Sequence, residues 1–223
     1  MLTRDAGKLL EISDIKLHFG GVYALGGASF SVPSGAILGL IGPNGAGKTT
    51  LFNVISGFLR PESGCVRFDG QDISGWSPDQ ITRAGLLRTF QIARGLPSLT
   101  VLENLMLYGA EQPGENVWRA ILRPSSVARR ESALLEDAWR MLQRLELEDV
   151  ANNLASELSG GQKKLIELGR ALMRKPKMVL LDEPAAGVNP GLARRLVAHI
   201  RAWQADGTTF LIVEHNMGLI AEL

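Results

Sequence analysis

Residues 42–49 read Gly42-Pro43-Asn44-Gly45-Ala46-Gly47-Lys48-Thr49, and they are the strongest local signal of fold class in the sequence. It follows a short apolar run at residues 36–41, which is typical of a parallel strand buried on both faces. It precedes residues 48–57, whose spacing suits a helix. Glycines let backbone N–H groups point inward around phosphate oxygens, and a helix start adds the positive end of its dipole. The pattern GxxxxGK(S/T) between a strand and a helix therefore predicts a phosphate-binding loop.

The side chains of this loop predict how a nucleotide would be held. Lys48 would meet the β- and γ-phosphates of a nucleotide, and the hydroxyl of Thr49 would ligate Mg²⁺; the family resemblance given below implies that the nucleotide is ATP, so that ATP and Mg²⁺ are the cofactors. The alternative is a glycine-rich turn that matches the pattern by accident. The predicted nucleotide-binding residues of the loop are Gly42, Pro43, Asn44, Gly45, Ala46, Gly47, Lys48, Thr49 and Thr50.

A second apolar run, at residues 178–181, ends in the two carboxylates Asp182 and Glu183. The carboxyl ends of parallel strands form the edge at which such sheets bind ligands. Asp182 would hold the Mg²⁺ through a water, and Glu183 could polarise the attacking water as a general base. The alternative is an ordinary strand end with solvated acids.

Residues 158–162 read Leu-Ser-Gly-Gly-Gln and predict a second anion site. A serine here suits a helix N-cap, and the two glycines leave N–H groups free at the helix start. One nucleotide does not need two such helix starts so far apart in the sequence. We therefore expect this second helix start to bind the nucleotide that a partner chain holds in its phosphate loop. The alternative is an ordinary capped helix with a flexible lead-in. The residues predicted to contact that nucleotide are Ser159, Gly160, Gly161 and Gln162.

Composition excludes several classes of protein. Hydrophobic residues make up 45% and charged residues 21%, which is average for a globular chain and argues against disorder. The net charge is only +1, so there is no electrostatic case for nucleic-acid binding. Cys65 is the one cysteine, which excludes an internal disulfide and fits a reducing compartment. The sequence contains no run of about 18 apolar residues, the length that would predict a membrane span. The first residues do not resemble a signal peptide.

Together these motifs resemble those of the ATP-binding cassette (ABC) ATPase family. Walker A corresponds to residues 42–49, Walker B to residues 178–183 and the signature LSGGQ to residues 158–162. The motifs stand in the family's order, and the resemblance covers essentially the whole chain. It implies an α/β fold: a P-loop NTPase (RecA-like) core with a mainly parallel sheet, an antiparallel N-terminal β subdomain and an inserted α-helical subdomain.

The same resemblance implies a single ABC ATPase domain over residues 1–223. Residues 1–90 and 159–223 would form the nucleotide-binding core, and residues 91–158 the helical subdomain. Similar cassettes continue through a further strand and helix beyond the point where this sequence ends. We therefore expect either that the sequence is a piece of a longer chain or that those elements are missing.

The resemblance also assigns smaller features. Gln91 resembles the Q-loop glutamine that senses Mg²⁺ and water, and His215 resembles the switch histidine that contacts the γ-phosphate. Phe19 matches the aromatic residue that stacks on adenine, with Tyr23 as its competitor. His215 and Phe19 could instead be structural, since a lone histidine or aromatic at a strand end usually is. Asn189 stands where the commonest D-loop pattern has aspartate, so it keeps the hydrogen bonding but not the charge.

A transporter subunit is the favoured kind of cassette. Repair ATPases of the family carry long coiled-coil insertions and translation ATPases carry two cassettes, and this chain has neither feature. The resemblance then implies a homodimer or heterodimer with a second ABC ATPase subunit, docked on transmembrane permease subunits. A substrate-binding protein joins them if the transporter is an importer. The expected location is peripheral, on the cytoplasmic face of the cell (inner) membrane.

The finer resemblance is to ATPase subunits for branched-chain amino acids and related amides. It rests on residues 182–190, which read Asp-Glu-Pro-Ala-Ala-Gly-Val-Asn-Pro, and on an extra segment at residues 116–130. That segment could face a permease or lipid headgroups, or form a solvated helix and loop. Another transported substrate, export, and a nucleotide switch without transport remain as alternatives. The basic and aromatic residues of the segment are Trp118, Arg119, Arg123, Arg129 and Arg130.

Overall fold

The computed structural model describes residues 7–89, 96–109, 124–215 and 217–223. Two short 3-10 helices, Glu148–Val150 and Ala155–Glu157, accompany the main elements. The described strands are β1 (Lys8–Phe19), β2 (Val22–Pro33), β3 (Ile37–Leu40), β4 (Ser63–Phe68), β5 (Gln71–Asp72), β6 (Leu86–Arg88), β7 (Met178–Asp182) and β8 (Thr209–Val213). The described helices are α1 (Lys48–Ile55), α2 (Pro78–Ala84), α3 (Val101–Met106), α4 (Pro124–Leu145), α5 (Gly160–Met173), α6 (Pro190–Ala205) and α7 (Met217–Ala221).

The first sheet is antiparallel, with the strand order β2-β1-β4-β5. One face of β1 carries buried apolar residues such as Leu10 and Ile12, which pack with Val66 and Phe68 of β4. Helix α1 contributes Phe52 and Ile55 to the same buried cluster. Burial of these side chains attaches the helix that follows the phosphate loop to the antiparallel sheet.

The second sheet is parallel, with the strand order β3-β8-β7-β6. Every residue of β8 is buried, and so are the first four residues of β7. Continuous burial of this kind is typical of a parallel strand covered on both faces. The predicted fold class, with a parallel core sheet and an antiparallel N-terminal sheet, is confirmed.

The chain divides into two compact units. The first comprises Met1–Gln91 and Pro176–Leu223 and contains both sheets, and the second comprises Ile92–Lys175. The sequence places the return to the core at residue 159, but α5 groups with α3 and α4 in the second unit. The reason is close packing, because a Cβ at Gly169 would lie only 2.7 Å from Leu145 Cδ1.

The second unit has a polar cluster in its interior. Asn104 is fully buried, and its amide nitrogen donates to the carbonyl oxygens of Leu96, Leu99 and Thr100. Arg170 Nη2 donates to Asn104 Oδ1 at 3.3 Å. Burial lowers the pKa of the Arg170 guanidinium from its ordinary value, because the charged form is poorly solvated. These bonds hold the short segment before α3 against α3 itself.

The structure differs from the sequence-based expectation at three elements. The sequence shows helical periodicity only from Glu131, but α4 begins at Pro124, because proline is tolerated in the first helical turn, where its missing N–H has no intrahelical partner. It predicts neither α2 nor β6, since both are too short for a clear hydrophobic period. Within the described part of the chain, no helix is long and apolar enough to cross a membrane.

Candidate active site

The carboxyl edge of the parallel sheet collects motifs that are far apart in the sequence. Leu40 and Asp182 both pair with Val213, so β3, β7 and β8 end side by side. The phosphate loop follows β3, Asp182 ends β7, and His215 lies just beyond β8. This edge is where ligands bind in open α/β sheets. The register therefore brings the two Walker motifs and the predicted switch histidine to one place.

The phosphate loop has a backbone that requires glycine. Gly45 and Gly47 have φ angles of 80° and 85°, in the left-handed region, and Gly47 is the N-cap of α1. A Cβ at Gly47 would collide with the carbonyl oxygen of Ala24 on β2. Side chains are therefore excluded where the loop passes β2, and the free N–H groups at the start of α1 remain available to an anion.

Lys48 lies across the loop that precedes it. Its Nζ donates to the carbonyl oxygens of Gly42 and Pro43, each at 2.7 Å. The next residue, Thr49, is exposed. The ammonium group and the hydroxyl that the sequence assigns to phosphate and Mg²⁺ thus stand at adjacent positions in the first turn of α1.

Glu183 and His215 form a direct pair. Nε2 of His215 lies 2.9 Å from Oε1 of Glu183, and both side chains are partly exposed. Glu183 has a φ of 49°, although it is not glycine, and its N–H donates to Val213 O at 2.9 Å. Left-handed backbone in a non-glycine residue is concentrated at functional sites. The two residues predicted to support hydrolysis are within hydrogen-bond reach of each other and of solvent.

Sequence reasoning missed Glu214, which organises this pair. The side chain is 4% exposed and accepts the backbone N–H of Ala185 at 3.0 Å through Oε1 and that of His215 at 3.1 Å through Oε2. It therefore joins the turn after Glu183 to the segment that carries His215. A carboxylate immediately after an entirely buried strand was the available signal, but the same feature occurs at solvated strand ends.

Sequence reasoning also missed Arg88 at the end of β6. Its Nη2 donates to Oδ2 of Asp182 at 2.9 Å, so the predicted metal ligand already has a charged neighbour. No group of three or more His, Cys, Asp or Glu residues suited to a metal occurs in the described ranges. Mg²⁺ keeps several waters and takes only one or two protein oxygens beside the phosphates. The hydroxyl of Thr49 and the carboxylate of Asp182 have the chemistry for this role.

The signature segment lies in the second unit, where it starts α5. Ser159 Oγ accepts the N–H of Gln162 at 3.3 Å, and Gln162 Oε1 accepts the N–H of Ser159 at 2.9 Å, which completes a capping box. Ser159 and Gly160 are exposed, whereas Leu158 is buried. The capped start of α5 therefore faces solvent, whereas the side chain of Leu158, just before it, is buried.

Two aromatic residues flank the tip of the β1–β2 hairpin. Phe19 pairs with Val22 and His18 pairs with Tyr23 across the strands, and both aromatic side chains are well exposed. The rings of His18 and Tyr23 are in contact, with centroids 5.8 Å apart. Because successive cross-strand pairs point to opposite faces, Phe19 lies on the face away from Tyr23.

Two other predicted features have different outcomes. Asn189 caps α6, since its Oδ1 accepts the N–H of Leu192 at 2.9 Å, which an amide oxygen does as well as a carboxylate. Gln91 lies outside the described residues, as do Trp118, Arg119 and Arg123.

Comparison with known proteins decides the family. A family model described as ABC transporter matches residues 25–186, which include the phosphate loop, the signature segment and Asp182. The chain belongs to the ABC transporter family. It is an ABC ATPase that binds and hydrolyses ATP.

Individual relatives of this ABC ATPase match it over nearly its whole length. It is 43% identical, over 97% of its own chain and 84% of the relative, to the probable branched-chain amino acid transport ATP-binding protein LivG of Methanocaldococcus jannaschii. It is 36% identical, over 95% of its chain and 84% of the relative, to the high-affinity branched-chain amino acid transport ATP-binding protein LivG of Escherichia coli. A crystal structure of the ADP conformation of an ATP-binding cassette of an ABC transporter matches with a TM-score of 0.81 and 42% identity, over 96% of this chain and 84% of that one.

Substitutions at the hairpin tip will identify the adenine platform of this ABC ATPase. We expect Phe19→Ala to raise the dissociation constant of ATP about tenfold, because a base stacked on an aromatic ring contributes roughly 1–3 kcal/mol. Phe19→Tyr, which keeps a ring, should bind normally, and so should Tyr23→Ala. Titration calorimetry measures all three. Weakened binding in Tyr23→Ala with unchanged binding in Phe19→Ala would assign the platform to Tyr23 instead.

Proposed function

We propose that this protein is the ATP-hydrolysing subunit of an importer for branched-chain amino acids or related amides. The observation that carries the proposal is 43% identity over 97% of the chain to a relative named for branched-chain amino acid transport. Several further relatives at 36% identity carry the same designation. The catalytic residues are Glu183, His215 and Gln91.

Binding of ATP begins at the phosphate loop. The backbone N–H groups of residues 42–50, of which Pro43 has none, surround the phosphates, and Lys48 exchanges its bonds to Gly42 O and Pro43 O for the β- and γ-phosphate oxygens. This exchange favours binding, because the phosphate oxygens are charged and the carbonyl oxygens are not. Phe19 stacks on the adenine.

Thr49, Asp182 and Gln91 would hold Mg²⁺ in the proposed site. When bound, Mg²⁺ would neutralise part of the charge on the phosphates. Thr49 contributes its exposed hydroxyl, and Asp182 contributes a carboxylate at the end of β7. Arg88 bonds to Oδ2 of that carboxylate and leaves Oδ1 available.

Glu183 and His215 support the attack of water on the γ-phosphate. Glu183 accepts a hydrogen bond from the attacking water as general base, and His215 contacts the γ-phosphate. The 2.9 Å contact between their side chains keeps the two roles in one place. Glu214 fixes the backbone on both sides of this pair through Ala185 and His215.

A second ABC ATPase subunit, identical or different, completes the site. Its Ser159, Gly160, Gly161 and Gln162 close over the nucleotide that the first subunit binds, and hydrolysis releases the closed dimer. The exposed, capped start of α5 supports this role, because its free N–H groups and dipole favour an anion. Transmembrane permease subunits take up the closing movement at the cytoplasmic face of the membrane, and a substrate-binding protein delivers the substrate.

Transport by the reconstituted complex tests the proposal. The protein is copurified with its permease subunits, placed in proteoliposomes with ATP on the cytoplasmic side, and supplied with the binding protein and labelled substrate. We expect ATP-dependent uptake of leucine, which Glu183→Gln abolishes. Uptake of urea or a simple amide without leucine would move the substrate to that class. ATP-dependent efflux would contradict the importer, and the absence of phosphate release would favour a nucleotide switch without turnover.

A further inference from the structure

Arg88 interrupts an otherwise apolar strand. Leu86 and Leu87, the other residues of β6, are buried as expected for a strand of a parallel sheet. The side chain of Arg88 is buried as well, with 8% of its surface exposed, and that of its partner Asp182 is 14% exposed. An arginine at this depth requires an explanation, because charged side chains are rarely buried unless they are paired.

The guanidinium group connects two parts of the proposed site. Nη2 donates to Asp182 Oδ2 at 2.9 Å, and Nη1 donates to Asn53 Oδ1 at 2.7 Å. Asn53 lies on α1, one turn after Thr49. The guanidinium carbon also lies 5.5 Å from the centre of the Phe52 ring, on the same helix. Arg88 therefore touches both the helix that carries Thr49 and the carboxylate of Asp182.

Stability alone does not account for this arrangement. A buried ion pair often contributes no more than apolar residues of the same size, since the charges lose their hydration. Arg88 Nε is buried without a hydrogen-bond partner, which adds a further cost. Leucine or methionine at this position would continue the pattern of β6 without either cost. The arginine therefore supplies something that an apolar residue does not.

We propose that Arg88 is a positioning residue for the magnesium site, an inference that rests on the function proposed above. It holds the Asp182 carboxylate at a set distance from α1, so that two of the proposed metal ligands, Thr49 and Asp182, keep their relative position before nucleotide arrives. Its bond goes to Oδ2, and among the described residues none donates to Oδ1, which would be available to a metal-bound water. Partners behind metal ligands commonly affect metal affinity by about 10–100-fold.

The bridge requires arginine rather than lysine. The planar guanidinium sends Nη1 and Nη2 in fixed, divergent directions to Asn53 and Asp182, whereas an ammonium group on a shorter, flexible stem does not hold both at once. Arg88→Lys thus keeps the positive charge and removes the bridge. Asn53→Ala removes the 2.7 Å bond at the other end and leaves both charges in place, so that only the longer contact of Nη1 with Ser56 Oγ, at 3.5 Å, still reaches α1.

The magnesium dependence of the two variants tests the proposal. ATP hydrolysis is measured against free Mg²⁺ at saturating ATP, and the binding of a fluorescent ATP analogue is measured in Mg²⁺ and in EDTA. We expect both variants to need about tenfold more Mg²⁺ for half-maximal hydrolysis. The analogue should bind as in the wild type in EDTA and more weakly than in the wild type in Mg²⁺. Arg83→Lys, at an exposed ion pair with Asp79 on α2, is the matched control and should change neither quantity.

Three results would overturn the inference. If Arg88→Lys had a lower melting temperature but the Mg²⁺ requirement of the wild type, the role of Arg88 would be structural only. A lower Mg²⁺ requirement would mean that Arg88 competes with the metal for Asp182. An unchanged Asn53→Ala protein would show that the bridge has no function, even if Arg88→Lys fails to fold. Failure of the proposed transport is seen separately, as the absence of leucine uptake by the reconstituted complex, and it would leave the Mg²⁺ titration of ATP hydrolysis unchanged.

Discussion

Glu183→Gln is expected to lower the rate of ATP hydrolysis by about 10²- to 10⁴-fold, the usual contribution of a general base. The amide has nearly the size of the carboxylate and can still pair with His215 Nε2, now 2.9 Å from Glu183 Oε1. The backbone at this position, with its left-handed φ of 49° and its bond to Val213 O, does not involve the side chain. The substitution therefore removes the proton acceptor and leaves the site assembled.

ATP should remain bound to the Glu183→Gln protein, and the closed dimer should accumulate. Size-exclusion chromatography with ATP and Mg²⁺ measures the dimer, and phosphate release under steady-state conditions measures the rate. Asp79→Asn is the control, because it makes the same change of charge at an exposed carboxylate on α2. A Glu183→Gln protein that elutes only as a monomer with ATP would count against the two-chain site, and one that hydrolyses ATP normally would remove Glu183 from catalysis.

Lys48→Ala is expected to raise the dissociation constant of ATP by at least about 100-fold, because two charge-assisted hydrogen bonds of roughly 1.5–3 kcal/mol each are lost. The variant should fold. Among the residues that the structure describes, Lys48 Nζ bonds only to the carbonyl oxygens of Gly42 and Pro43, which water can solvate in this exposed loop. The left-handed Gly47, which the loop needs to pass β2, is unaffected.

Titration calorimetry with ATP and a thermal unfolding scan together separate binding from folding in the Lys48→Ala protein. Lys8→Ala removes a lysine that forms an exposed ion pair with Glu11 on β1, and it should change neither measurement. Unchanged ATP affinity in Lys48→Ala would refute the assignment of the phosphate loop. A large loss of thermal stability would instead mean that the bonds of Lys48 to Gly42 and Pro43 hold the loop together.

Local motifs carried most of the information that could be predicted. The phosphate loop, the strand ending at Asp182 and the helix beginning at Gly160 are each recognised from a few consecutive residues, because the glycines and the N-cap serine act on their own backbone. The alternation of strands and helices predicts the parallel sheet, and the family resemblance implies the antiparallel one; the structure confirms both. Short elements such as β6 carry no comparable local signal.

Motif order and local backbone chemistry are sufficient to identify the ABC family, the α/β fold and the residue types that meet phosphate. It takes the folded chain to show that Glu183 contacts His215, that Glu214 joins the segments around them, and that Arg88 links Asp182 to α1. These contacts cross between neighbouring strands of the parallel sheet or, for Arg88 and Asn53, from the sheet to α1. Strand order and register place the carboxyl ends of these strands side by side. Both are set by packing over the whole unit rather than by neighbours in sequence.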